Sequence, residues 1–281
     1  MKFESAKISP YRFMFMIICF LQGSSLLTLM FSSITKQDTW FAVLAALVVF
    51  MPVVAAYSAL ARRFPDDNLF DIFEKVYGKI AGKIISFLYL FFFLTLAALN
   101  TRDLGNFVQQ TMMNNTPRIV IIGLFMLVCA WAVRNGIAVI TRYSSYFAVI
   151  AALITVLSIL FTLNIMNFEN FLPAFTLPVR DYVQSANIAM SIPLGELVIF
   201  LMVVPAVKLT GKQKITKYYF GGAVVGGALL TIVCLRDTGV LGNMVGRFSL
   251  PTFETLRMVS LSRTISRLEI FIAIIFIILY F

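Results

Sequence analysis

Residues 13–35 contain no charged side chain. Wound as a helix, a stretch of that length rises about 35 Å, enough to cross a hydrocarbon core of roughly 30 Å. A backbone in lipid finds no water to bond, so such a segment survives only as a helix or in a closed barrel. Further charge-free stretches run over 39–61, 84–101, 119–133, 143–168 and 218–235, and 182–207 is interrupted only by Glu196. A shorter apolar stretch covers 270–281. Arg118 and Arg134 flank the short fourth stretch, where long stems let their head groups reach the interface. The pattern predicts an all-α membrane protein with seven full spans and a partial eighth, folded as a single polytopic membrane domain over residues 1–281.

Composition points the same way. Sixty per cent of the residues are hydrophobic and 13% charged, against about a quarter charged in soluble domains. Lys and Arg number 23 against 13 Asp and Glu. The basic side chains sit between apolar stretches rather than in one stripe, so they read as topology signals and not as a nucleic-acid surface. Lys2, Lys7, Arg12, Arg62, Arg63, Lys75, Lys79, Lys83, Arg134, Arg142, Lys208, Lys212, Lys214 and Lys217 fall on one side of the predicted spans. The alternate loops up to span seven hold only Lys36, Arg102, Arg118 and Arg180, which predicts a cytoplasmic N-terminus. The absence of histidine removes His-based zinc sites, Ser-His-Asp triads and His-ligated haem. Cys19, Cys129 and Cys234 lie in apolar stretches without CxxC spacing and read as buried thiols. No cofactor and no metal are expected. The first apolar stretch is too long for a cleavable signal and lacks a small-residue cleavage site.

Two connecting segments carry helical patterns. Over 65–82, Leu69, Phe73, Val76 and Ile80 share one face, with Asp66 and Asp67 at the helix start, where the macrodipole favours acids. Over 249–262, Phe253, Leu256, Val259 and Ser260 recur at similar spacing, predicting a short re-entrant or surface helix. Gly222 and Gly226 in span seven form a GxxxG, which reads as close helix packing.

Helix breakers and charges at membrane depth mark functional sites. Span one contains Gln22, Gly23, Ser24 and Ser25 near its middle; span six contains Pro193, Leu194, Gly195 and Glu196 near its own. With five spans per unit, the two are corresponding members of an inverted pair, and matched breaks are the best sequence pointer to a transporter-like site. An unwound break frees amides for an anion and carbonyls for a cation, which together suit a zwitterionic amino acid. Glu196 has three open roles: ammonium recognition, proton coupling, or a structural tie, with Arg102 or ordered water as partner. Span three adds Tyr89, Phe93, Leu96, Asn100 and Asp103 along one stripe, with Leu96 and Asn100 as cavity-lining candidates.

At these same residues the chain resembles the B-subunit family of endospore germinant receptors, a branch of the amino acid–polyamine–organocation transporter superfamily. The resemblance rests on Ile8-Ser9-Pro10-Tyr11, on Gln22 through Leu29, and on Phe64-Pro65 through Lys83. It continues in Asn167 through Pro173, in Pro193 through Phe200 with Pro205, and in Ser266-Arg267-Leu268-Glu269 before span eight. It implies a leucine-transporter-type fold of five plus five inverted spans, C-terminally incomplete here, with a first repeat over about 8–168 and a partial second over about 182–281. The stop at Phe281 within an apolar run reads as truncation, which leaves spans nine and ten missing. The resemblance also implies a small germinant, often an amino acid, bound at the breaks in spans one and six. It implies partnership with germinant receptor A and C subunits in the spore inner membrane. Ser25 stands where the family carries a second glycine.

Three functions compete on the sequence: a germinant-sensing subunit, an amino-acid permease coupled to protons through Glu196, and a non-transporting membrane scaffold. No nucleophile–base or metal constellation supports an enzyme.

Overall fold

A computed structural model describes residues 7–211 and 213–258, with Leu26 placed by its backbone only. The partial eighth span at 270–281 and the Ser266–Glu269 motif lie outside the described residues. Pro10 opens α1 (Pro10–Gly23), where its missing N–H costs nothing. The chain then tightens into a 3₁₀ segment, Ser24–Thr28, and resumes as α2 (Leu29–Thr35). A 3₁₀ turn at Lys36–Asp38 leads into α3 (Thr39–Arg63).

After α3 come α4 (Leu69–Tyr77), α5 (Lys79–Thr111), α6 (Arg118–Arg134) and α7 (Ile137–Thr162). A 3₁₀ turn at Phe168–Phe171 precedes α8 (Val179–Ala189), which passes into a π segment, Met190–Leu194, and then a 3₁₀ segment, Gly195–Met202. The described part ends with α9 (Ile215–Leu241) and α10 (Pro251–Arg257). Five stretches are long and apolar enough to cross a bilayer by length and composition: Leu29–Arg63, Lys79–Thr111, Ile137–Thr162, Val179–Met202 and Ile215–Arg247. The protein is a multi-pass helical membrane protein. Its α5 and α6 turn Phe87, Phe91, Leu94, Ile119, Leu124 and Leu127 outward, as lipid-facing surfaces require.

α9 lies at the centre, against α1 and α3, and α1 also packs on α7. The glycines permit this. A Cβ on Gly222 would stand 2.8 Å from Ile17 Cβ, and one on Gly226 would stand 2.7 Å from Leu21 Cδ1. Ile17 and Leu21 are one helical turn apart, as are the two glycines, so the GxxxG is the seat of α1 as its spacing predicts. Gly227 does the same for Leu47 of α3, at 2.5 Å.

Four sequence expectations change. The amphipathic helix starts at Leu69, capped by Asn68, whose side chain accepts from the Phe70 and Asp71 amides at 2.9 and 3.1 Å; Asp66 and Asp67 precede it. Gly78, at φ +81°, ends this helix. Ile80 therefore belongs to α5 and is 81% exposed, while Leu69 and Ile72 form the buried face. Asn100 through Asp103 lie inside α5, which runs on to Thr111, rather than at a span end. α9 likewise continues past Leu235 and takes Arg236 and Asp237 with it. Of the helix expected over 249–262, Pro251–Arg257 is helical; Val259 and Ser260 lie outside the described residues.

Candidate functional site

The α-helical pattern is interrupted at both predicted places, but as changes of winding rather than as unwound backbone. Ser24 keeps right-handed dihedrals (φ −64°, ψ −7°), as does Gly195 (φ −64°, ψ −32°). In span one the carbonyls expected to be free are occupied. The Ser24 N–H donates to the Phe20 and Gln22 carbonyls, and the Ser24 hydroxyl donates to Phe20 O at 3.4 Å. The Ser25 hydroxyl donates to Gln22 O at 2.7 Å. Short hydroxyl side chains take this role readily, because they reach their own helix's carbonyls without leaving the turn. Gln22 is buried and bridges three elements, its amide nitrogen donating to Gly226 O of α9 at 3.4 Å and its oxygen accepting from Thr155 of α7 at 3.5 Å.

In span six Pro193 lacks the N–H that would continue the α ladder, so the turn widens and the Gly195 N–H reaches back five residues to Met190 O. A Cβ on Gly195 would stand 3.1 Å from that same carbonyl. Pro193 and Leu194 are buried, and Glu196 is 8% exposed. Among the described residues no cation lies within ion-pair distance of Glu196. The predicted partner Arg102 instead pairs with Asp103, its neighbour on α5, at 2.9 Å, and its side chain is exposed. Leu96 is buried and Asn100 half-buried on α5. No hydrogen bond among the described residues joins Asn100 to either interruption.

The two interrupted spans meet through aromatic rings. Phe200 stands edge-on to Phe20 at 5.6 Å and to Phe13 at 6.1 Å. Beside this wedge lies a cavity of about 290 Å³, walled by Met16, Cys19 and Phe20 of α1, by Ile199 and Phe200 of span six, and by α6–α7 residues including Tyr143. None of the ten predicted site residues lines it; Gln22 through Ser25 and Pro193 through Glu196 lie further along the same two spans, and Leu96 and Asn100 are on α5. At the end nearer residue 8 the spans are tied directly. Ile8 N–H donates to Ala206 O and Lys208 N–H to Ile8 O, each at 2.9 Å.

Two features escaped sequence reasoning. Tyr219 of α9, fully buried, donates its hydroxyl to Leu197 O at 2.5 Å and so satisfies a carbonyl in the 3₁₀ stretch of span six. A tyrosine near the start of an apolar span gives no sign of such a partner. Arg236 and Asp237 form a buried pair at 2.6 Å; Arg236 also donates to Ser158 of α7 at 2.7 Å, and Thr252 of α10 donates to Asp237 at 2.5 Å. Their intrahelical adjacency in an otherwise apolar run was the available signal.

The fold and site thus define a multi-pass helical membrane protein in which two segments, each with an interruption of its α winding, pack on each other. The family described as Spore germination protein matches residues 7–281, and the chain belongs to it. Spore germination protein KB of Bacillus subtilis (strain 168) is 26% identical over 274 residues, covering 95% of this chain and 72% of that protein. Putative spore germination protein YfkT of the same organism is 25% identical over 240 residues, with 85% and 64% covered. Spore germination protein A2 is 24% identical over 272 residues, with 92% and 72% covered. The family is the one that the sequence motifs resemble.

Proposed function

We propose that the chain is the B-type membrane subunit of a spore germinant receptor and that it binds a small germinant, most simply an amino acid, between spans one and six. One observation carries this reading: the two segments in which α winding is interrupted also form two walls of one cavity of about 290 Å³. That volume is at the small end of ligand pockets, roughly 300–1,000 Å³, and suits a single small solute. The walls are mostly apolar and take an apolar side chain; Glu196, one turn from Ile199, is the anionic group nearest to hand for an ammonium. Occupancy biases an existing equilibrium only if the germinant binds one arrangement of the two spans better than the other. That bias passes to the A and C subunits in the spore inner membrane, with the N-terminus of this chain on the cytoplasmic side. The role is sensing and needs no catalysis.

Gly195→Leu tests the reading, because its side chain must displace the Met190 carbonyl and reshape span six. The response to germinant is expected to vanish while the protein still accumulates in the membrane. An unchanged dose–response would remove the role assigned to this turn. Saturable uptake of labelled amino acid by the reconstituted protein would favour a permease over a sensor.

A further inference from the structure

Two helices end in the same way. The Lys36 N–H donates to Ser32 O at the end of α2, and the Gly242 N–H donates to Thr238 O at the end of α9. Lys36 takes φ 49° and ψ −121°, Gly242 φ 55° and ψ −136°. That conformation suits glycine and strains a residue that carries a Cβ; strain of this kind gathers at sites that clamp ligands. The two turns are packed together, since a Cβ on Gly246 would stand 2.5 Å from Ser32 O. Between them lies a cavity of about 280 Å³, walled by Ser33 and Lys36 on one side and by Asn243, Met244, Gly246 and Arg247 on the other.

The polar side chains of this cavity are two cations, an amide and a hydroxyl; among the described residues no acid lines it, and neither Lys36 nor Arg247 makes an ion pair. The acids nearest in sequence are engaged elsewhere. Asp38 is buried and accepts from the Phe175 amide and the Tyr182 hydroxyl, and Glu254 pairs with Arg257 at 3.5 Å. Lys36 belongs to the loops that are poor in Lys and Arg, so the topology rule behind most basic residues of this chain does not account for the pair. Two like charges facing one small cavity repel, and an anion between them replaces that repulsion by attraction. An arginine fork and an ammonium, with amide and hydroxyl donors beside them, form a donor set for a phosphate-type oxyanion. The Ser33 hydroxyl is only loosely engaged by Met30 O, at 3.4 Å. Both cations are exposed, so an anion enters without any part of the fold opening. We propose that Lys36 and Arg247, with Ser33 and Asn243, bind a phosphate-type oxyanion between the α2–α3 and α9–α10 turns. The anion ties α2 to the end of α9, independently of any solute between spans one and six. Dissolved phosphate and the phosphodiester headgroup of an anionic lipid share this chemistry.

The full chain, purified in detergent, is unfolded thermally in sodium phosphate and in sodium chloride of equal ionic strength. A second arm adds phosphatidylglycerol or phosphatidylcholine to the micelles at equal mole fraction. Phosphate, phosphatidylglycerol or both are expected to raise Tm saturably by about 2–4 °C, which chloride and phosphatidylcholine do not; the one that acts identifies the source. Lys36→Gly relieves the backbone, so it is expected to raise the basal Tm while abolishing the effect of the anion. Arg247→Gln is expected to weaken the apparent anion affinity several-fold, and it carries the test if Lys36→Gly does not accumulate. No saturable rise with either anion, a rise that only grows linearly with phosphate as a bulk salt effect does, or a saturable rise with an unaltered midpoint in either variant would each overturn the proposal.

Discussion

Arg236 and Asp237 illustrate how far a local sequence reading reaches. Two charges at the edge of an apolar run ordinarily end a span, and the sequence reads them so. In the fold they are 3% and 1% exposed, because each neutralises the other and Ser158 and Thr252 fill the remaining hydrogen-bonding positions. Removing one member leaves the other buried and uncompensated, at a cost of roughly 3–5 kcal/mol. Asp237→Ala is therefore expected to lower thermal stability in detergent strongly, and an Arg236→Met, Asp237→Leu double variant to lower it less. Tyr219→Phe leaves the Leu197 carbonyl without its partner and is expected to cost about 1–3 kcal/mol; denaturation of the purified variant measures it. Glu196, by contrast, was legible from sequence alone, since an isolated acid in a 26-residue stretch stands out. Tyr219 was not, since its partner is a backbone carbonyl exposed only by the winding of another span.

At the scale of elements, glycines separate two kinds of position. Gly226 lies where any Cβ meets Leu21, whereas a Cβ on Gly123 in α6 meets nothing within 4 Å. Gly226→Ala is expected to destabilise by about 1–3 kcal/mol through overpacking. Gly123→Ala is expected to stabilise by about 0.4–1 kcal/mol, because it restricts the unfolded chain without native strain. Paired unfolding curves decide both. The GxxxG and the positions of the two helix interruptions were legible, because small residues and proline act locally. The kind of interruption was not. Whether Gly23 through Ser25 unwind or tighten depends on where the Ser24 and Ser25 hydroxyls find acceptors, and they find them in the preceding turn.

For the whole molecule, the pairing of Ile8 with Ala206 and Lys208 sets the start of span one beside the end of span six. The tie brings residues 9 and 210 to one end of the two segments. Impermeant labelling of single cysteines at Ser9 and Thr210 is expected to report the same side of the membrane, and a cysteine at Thr176 the opposite side. The central claim concerns the cavity that the two spans share, and Cys19 lines it natively. In a Cys129→Ala, Cys234→Ala background, the rate at which a small thiol reagent modifies Cys19 can be followed across a panel of amino acids. An amino acid that triggers germination is expected to slow that modification saturably, over the same concentration range as the response. A triggering amino acid that leaves the rate unchanged at saturating concentration would contradict the account.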